Sequence, residues 1–184
     1  MKILIILGKV LAAFVIIFAA AMLVFVWFTK GNSKDYGDHS KILKSNSPNS
    51  KKALVIYQPS RGGLTQKIGS EIAKGIYSEG YEVTINYPGK HLSTDISKYS
   101  IIVYGSPVYI GQTSATLADY MKSVKNYTNT KIFIFATGGQ LNNGELDNME
   151  KQLVNGKATE KFGFKKVNEH DAYEAGKKIA LESR

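Results

Sequence analysis

An uncharged stretch near the amino terminus constrains this chain more than any other feature. Residues 10–28 contain no charged residue, no glycine and no proline. At about 1.5 Å of rise per residue, a helix of this length nearly spans a hydrocarbon core of roughly 30 Å. The stretch therefore predicts one transmembrane helix, within residues 1–29, that holds the protein in a lipid bilayer through residues 10–28.

A cleaved signal peptide is the competing interpretation of the same segment. Lys2 and Lys9 resemble a positively charged n-region, and the three alanines at 19–21 are small residues of the kind that a signal peptidase accepts. The apolar run continues beyond these alanines, whereas a secretory apolar region has about 7 to 15 residues. Trp27 stands where an interfacial aromatic side chain would anchor a helix end. Length therefore favours an uncleaved anchor.

Residues 30–52 change composition, because Ser, Asn, Lys, Gly and Asp dominate them. This predicts a flexible polar tether. Four lysines follow the apolar run and two precede it (Lys30, Lys34, Lys41 and Lys44; Lys2 and Lys9). Basic residues close to a helix end favour the cytoplasmic side. The counts therefore predict a single-pass membrane protein with a cytoplasmic globular domain, and the opposite orientation, held by the two leading lysines, is the alternative.

The charge distribution and the absence of cysteine exclude several function classes. The net charge is +9, but residues 1–52 contain eight of the 24 basic residues and two of the 15 acidic ones. Residues 53–184 are therefore nearly balanced, which argues against a nucleic-acid partner. With no cysteine, the chain has no disulfide, no thiolate metal centre and no cysteine nucleophile. The three histidines lie in polar segments without metal-ligand spacing, so no metal site is predicted.

Residues 53–184 alternate short apolar runs with amphipathic segments, which predicts an α/β domain with a mainly parallel sheet. Strands are predicted at 53–57, 81–87, 100–104 and 131–136, with a weaker one at 162–167, and helices at 64–76, 116–124, 146–153 and 171–183. The loops that follow the first, third and fourth strands of such a sheet converge on one crevice at its carboxyl edge. We expect a ligand to bind there.

The first of these loops is suited to an anionic group. Ser60-Arg61-Gly62-Gly63-Leu64-Thr65 leads directly into a helix, whose first N–H groups carry partial positive charge. Together with the hydroxyls of Ser60 and Thr65, these N–H groups predict a phosphate site. A tight turn with Ser60 as helix N-cap fits this segment equally well when it is considered alone.

The other two loops offer a platform and hydrogen-bonding groups. In Gly105-Ser106-Pro107-Val108-Tyr109-Ile110-Gly111, the glycines allow close approach of the backbone to a ligand, and Tyr109 offers a flat face for a planar ring. Alternatively, Tyr109 simply covers the core. Thr137-Gly138-Gly139-Gln140 supplies amides and a hydroxyl but no aromatic side chain.

The order and spacing of these loops resemble the flavodoxins. The flavodoxin phosphate loop, Thr/Ser-x-Thr-Gly-x-Thr, is matched at Ser60, Gly63 and Thr65, and the second and third loops are similar to the two that flank the flavin ring. The resemblance implies a doubly wound, parallel five-stranded sheet with helices on both faces, and non-covalently bound FMN. The cofactor-binding residues that it implies are Ser60, Arg61, Gly62, Gly63, Leu64, Thr65, Ser106, Pro107, Val108, Tyr109, Gly111, Thr137, Gly138 and Gly139.

The sequence thus predicts a membrane-anchored flavodoxin-like domain, residues 53–184, that binds FMN and transfers electrons to or from a partner that the sequence does not identify. The alternative is a cofactor-free interaction module of the same fold, tethered to the membrane. Two departures from the flavodoxin pattern motivate it: Gly62 stands where the family usually has a hydroxyl, and no second aromatic is evident to cover the ring.

Overall fold

The computed structural model describes residues 2–184, with side chains for residues 5–27 and 32–184. One compact unit ends at Gly31, and the second covers Asn32–Arg184. The first unit is helix α1, Lys2–Lys30. Its segment Ile5–Trp27 is long and apolar enough to cross a membrane, and none of that segment is buried within the protein.

The second unit contains six strands and four helices, joined by short connections. The strands are β1 (Lys41–Leu43), β2 (Lys52–Tyr57), β3 (Glu82–Asn86), β4 (Ile101–Pro107), β5 (Lys131–Thr137) and β6 (Glu160–Phe164). The helices are α2 (Leu64–Ser78), α3 (Ala115–Ser123), α4 (Asn143–Glu150) and α5 (Glu169–Glu182), and a 3-10 turn covers Gly31–Ser33.

The sheet has the strand order β1-β3-β2-β4-β5-β6, and every pairing except β1 with β3 is parallel. The predicted fold class is confirmed: strands β2 to β6 form a doubly wound five-stranded parallel sheet. The chain runs outward from β2 to β3 and then crosses back to β4 on the other side of β2. This reversal of strand order opens a crevice at the carboxyl ends of β2 and β4, the usual ligand position in such sheets.

Apolar side chains are buried on both faces of the sheet, as expected for strands with continuous apolar runs. Val55 and Tyr57 face a core formed with α2 and α5, whereas Leu54 and Ile56 face a core formed with α3 and α4. Helices α2 and α5 approach closely, and an added Cβ at Gly176 would lie 2.2 Å from the Ile72 carbonyl oxygen. The two cores fix the carboxyl edge of the sheet, from which the predicted binding loops project.

The segment predicted as a flexible tether differs most from the structure. Residues 32–50 belong to the second compact unit, and β1 within them pairs antiparallel with β3, Lys41 opposite Ile85. The sheet therefore has a sixth strand, and the compact unit begins at Asn32 and not at residue 53. We call residues 32–43 the strap, because they run from the second predicted loop across the carboxyl edge of the sheet to β1 at its outer edge.

Side-chain hydrogen bonds fasten the strap to β3. Asn86 is 5% exposed; its Oδ1 accepts from the His39 N–H (2.9 Å), and its Nδ2 donates to Asp38 Oδ1 (2.8 Å). The bond from Asn86 lowers the pKa of the Asp38 carboxyl. The His39 ring lies 4.7 Å from the Tyr87 ring. These contacts bring together residues that are 47 or 48 positions apart in sequence, so the local composition of the strap did not indicate them.

Candidate functional site

The first loop is held in shape by its own side chains. The Ser60 hydroxyl accepts a hydrogen bond from the Thr65 N–H (3.1 Å) and donates to Gln66 Oε1 (3.1 Å). Gly63 precedes α2 with φ 74°, a left-handed conformation that glycine adopts without strain. The N-cap of α2 is Gly63 and not Ser60, the N-cap considered from the sequence; Ser60 instead holds the first turn from outside the helix, through the Thr65 N–H.

Hydrogen bonds join all three predicted loops. The Arg61 N–H donates to the Tyr109 hydroxyl (2.8 Å), which links the first loop to the second. The hydroxyls of Thr65 and Thr137 lie 2.7 Å apart, which links the first loop to the third, and both side chains are almost completely buried. The Val108 N–H donates to the Thr137 carbonyl (2.8 Å). The structure thus brings the predicted residues of the three loops together.

Several predicted site residues also have structural roles. The Ser106 hydroxyl is fully buried, accepts from the Ser114 N–H (2.8 Å) and donates to the Pro107 carbonyl (2.9 Å), so it fixes the second loop. Gly105 is required by packing, because an added Cβ would lie 2.1 Å from the Phe135 ring. In contrast, Cβ atoms added at Gly62 and Gly139 would meet nothing within 4 Å. Gly62 and Gly139 are therefore exposed backbone positions at which no neighbouring atom requires a glycine.

A tight turn forms the tip of the second loop. The N–H of each of Tyr109 and Gln112 donates to the carbonyl of the other, both at 3.0 Å. The two residues between them, Ile110 and Gly111, have φ of 52° and 70°. This is the geometry of a two-residue hairpin turn, for which both central residues take positive φ. We call residues 109–112 the loop-2 hairpin.

Two buried amide side chains lie at this edge that the sequence pattern did not indicate. Gln58 follows β2 and is fully buried; its Nε2 donates to the Lys34 carbonyl (3.0 Å). Asn32 is 4% exposed, and its Nδ2 donates to the Gln112 carbonyl (3.2 Å). In the part of the chain that the structure describes, the side-chain oxygens of both residues lack a hydrogen-bond donor. The position of Gln58, directly after a buried strand, was the available signal.

A cavity of about 450 Å³ lies beside these loops rather than within them. Its walls come from the strap (Ser33 and Asp35), the segment after β3 (Lys90) and α3 (Asp119 and Tyr120). Hydrogen bonds from the Gly37 and Lys90 N–H groups lower the pKa of the Asp35 carboxyl, the Gly37 bond having the larger effect. None of the predicted cofactor residues lines this cavity.

The residues present at the three loops fit FMN. The N–H groups of Gly62 and Leu64, at the start of α2, have no hydrogen bond within the described residues, as expected of donors available to a phosphate. The Gln58 amide oxygen is a buried acceptor without a donor at the same edge. Unused donors at a helix start and polar loops beside the strand-order reversal are the features expected of an α/β protein that binds a phosphate-bearing ligand at this edge.

Comparison with known proteins identifies the family. The flavodoxin domain model matches residues 54–168, which include all three loops. The chain therefore belongs to the flavodoxin domain family, and the resemblance stated from the loop sequences is confirmed. No curated protein sequence matches the chain.

Solved structures of flavodoxins are similar in fold. The flavodoxin of Streptococcus pneumonia TIGR4 aligns with a TM-score of 0.60 at 16% identity, covering 72% of this chain and 97% of the other. Two-electron reduced Megasphaera elsdenii flavodoxin aligns with a TM-score of 0.55 at 14% identity, covering 70% and 98%. A flavodoxin from the domain Archaea gives 0.52 at 16%, covering 72% and 98%. At these identities the likeness shows the fold.

Proposed function

We propose that this protein is a membrane-anchored FMN protein that transfers electrons to or from a partner at the bilayer. The observation that carries the proposal is the convergence of three loops at the carboxyl edge of β2, β4 and β5, with the Gly62 and Leu64 N–H groups open at the start of α2. Membership of the flavodoxin domain family and the apolar segment Ile5–Trp27 support it.

In this proposal the residues of the chain bind and orient the cofactor. The N–H groups at the start of α2, with Ser60 and Thr65, would hold the phosphate, because the helix start carries partial positive charge. Tyr109 and the backbone of residues 137–139 would border the ring. When bound, FMN supplies the redox chemistry, and the protein contributes binding, orientation and electrostatics.

A cofactor-free interaction module is the second candidate, and one observation favours it. The Ser60 hydroxyl already donates to Gln66 Oε1, and the Thr65 hydroxyl is already hydrogen-bonded to that of Thr137, so both have partners within the protein. A module of this kind would keep the three loops together without binding flavin.

The visible spectrum separates the two candidates. The full chain is expressed, extracted from membranes in detergent, incubated with FMN and freed of excess cofactor. Our proposal predicts flavin absorption bands in the protein fraction and quenched flavin fluorescence. A colourless protein that leaves FMN fluorescence unquenched would support the interaction module instead. Resistance of the chain to extraction from membranes by alkaline carbonate tests the anchor separately.

A further inference from the structure

The loop-2 hairpin contains an unusual backbone conformation. Ile110 has φ 52°, in the left-handed region. A two-residue hairpin turn of this type strongly prefers Asn-Gly or Asp-Gly, and a β-branched residue with positive φ is a genuine outlier. Gly111, the second central residue, is the glycine that the turn requires. The backbone of Ile110 is therefore strained, at a position that Asn or Asp would occupy more easily.

Packing within the protein does not offset this strain. Ile110 is 64% exposed, the highest exposure of any large apolar side chain in the unit that begins at Asn32. The next most exposed large apolar side chains of this unit are those of Ile42 and Leu181, both 49% exposed. The strained backbone costs free energy, and the exposed side chain does not offset this cost by being buried. An apolar contact outside the chain would account for an isoleucine at this position.

The position of the hairpin indicates what that contact is. Asn32, the first residue of the compact unit, donates its side-chain N–H to the Gln112 carbonyl at 3.2 Å. The apolar segment ends at Trp27, five positions earlier. Five residues of fully extended chain reach at most about 18 Å. Covalent connectivity therefore limits how far the loop-2 hairpin can lie from the medium that surrounds Trp27.

We propose that the loop-2 hairpin is a membrane-contact element, and that the Ile110 side chain inserts into the lipid interface of the bilayer that holds α1. This inference rests on the membrane anchoring in the proposed function and extends it. An isoleucine gains free energy on transfer from water to an apolar phase. Lys34 is exposed and lies two positions after Asn32, so its ammonium group would meet anionic headgroups at the same surface. The second loop would then lie at the membrane surface, and the redox partner would reach the flavin there.

The absence of cysteine makes a direct test possible. Single variants Ile110→Cys and Leu181→Cys of the full chain are labelled with an environment-sensitive fluorophore and reconstituted, with FMN added, into phosphatidylcholine–phosphatidylglycerol vesicles. Leu181 is the matched control. It is also an exposed apolar residue, but it lies at the amino edge of the sheet, opposite to the loop-2 hairpin. The carbonyl of its neighbour Ala180 accepts a hydrogen bond from the hydroxyl of Tyr81, which directly precedes β3. Circular dichroism verifies that each variant is folded.

We expect the label at Ile110 to show blue-shifted emission and quenching by brominated lipid, and the label at Leu181 to remain water-like and accessible to iodide. Equal, water-like signals at both positions would overturn the inference. Shielding from iodide without quenching by brominated lipid would place Ile110 against protein or cofactor, and would also overturn it.

A third label separates failure of this inference from failure of the anchor. Phe18→Cys lies within the apolar segment. If the Phe18 label reports lipid while the Ile110 label reports water, the anchor stands and the membrane-contact element is rejected. If the Phe18 label also reports water, the anchoring itself is wrong, and the inference falls with it. FMN binding, measured by flavin fluorescence in the same samples, is independent of both results.

Discussion

At the residue scale, the Thr65 hydroxyl has two candidate roles. It is hydrogen-bonded to Thr137 (2.7 Å) and stands at the loop position that matches the flavodoxin phosphate pattern. If it also binds phosphate, Thr65→Ala should weaken FMN binding by about 1.5 to 3 kcal/mol, the value of a hydrogen bond to a charged group. Thr65→Ser should retain most of the affinity. Fluorescence titration of the wild type and both variants measures the difference.

Riboflavin is the control ligand for this substitution, because it lacks the phosphate. We expect Thr65→Ala to weaken FMN binding much more than riboflavin binding. An equal loss for both flavins would show that the substitution damaged the start of α2 or the link to Thr137, and that Thr65 does not contact phosphate.

Gly105 tests the packing beneath the second loop. A Cβ at this position would lie 2.1 Å from the Phe135 ring, so Gly105→Ala should lower the free energy of unfolding by about 1 to 3 kcal/mol, as overpacking does in a tight core. Gly139→Ala is the matched control, since nothing lies within 4 Å of its added Cβ. Urea unfolding measures both, and equal stability of the two variants would contradict this packing.

The sequence predicted that the three loops meet at one edge of the sheet but not the bonds that their residues make, and the role of these residues in cofactor binding stays a prediction. Pattern and spacing located the loops, because the glycines and the strand ends are local features. The pairing of Thr65 with Thr137 spans 72 positions, and the bond from Arg61 to Tyr109 spans 48, so both depend on the sheet bringing distant loops together. For the same reason the buried amides of Asn32 and Gln58 were not anticipated.

At the element scale, the strap is the main addition to the predicted fold. The predicted strands and helices of residues 53–184 are all present, but two are displaced: α4 lies at Asn143–Glu150 rather than at 146–153, and β6 at Glu160–Phe164 rather than at 162–167. These elements were predictable because each strand has a short apolar run and each helix an apolar period, and both are local features. Strand β1 is only three residues long and begins with a lysine, and its pairing with β3 gives it a structure that the polar composition of residues 30–52 does not indicate.

Asn86 tests whether the strap is part of the folded domain. Asn86→Ala would remove the acceptor of the His39 N–H and the donor to Asp38, so we expect a loss of about 1 to 3 kcal/mol in unfolding free energy. The backbone amides of β1 should also lose protection from hydrogen exchange. Asn148→Ala, an exposed substitution in α4, should change stability by less than about 0.5 kcal/mol.

Acid provides a second measurement of the same contacts. Because the pKa of Asp38 is lowered in the folded protein, its contribution to stability is present above the usual carboxyl range and is lost as pH falls through and below that range. Exchange protection of β1 should therefore decrease in acid in the wild type. Unchanged protection in Asn86→Ala would show that the strap is held by other contacts.

At the scale of the whole molecule, orientation determines which electron donors can reach the site. The four lysines after the apolar run, against two before it, favour a cytoplasmic domain. Protease added to intact cells should therefore leave residues 32–184 uncut, and neutralising Lys30, Lys34, Lys41 and Lys44 together should expose a fraction of them. Immunoblotting of the domain measures this, and lysed cells are the control for protease activity. Complete digestion in unbroken cells would reverse the orientation.

In our proposal the three converging loops bind FMN through its phosphate. Titration of the wild-type full chain in detergent with FMN and with riboflavin measures this phosphate dependence. We expect the protein to quench FMN fluorescence at one flavin per chain. We also expect it to bind FMN at least about tenfold more tightly than riboflavin, since one hydrogen bond to a charged group is worth about 1.5 kcal/mol or more. Unquenched FMN, or equal affinity for the two flavins, would contradict it.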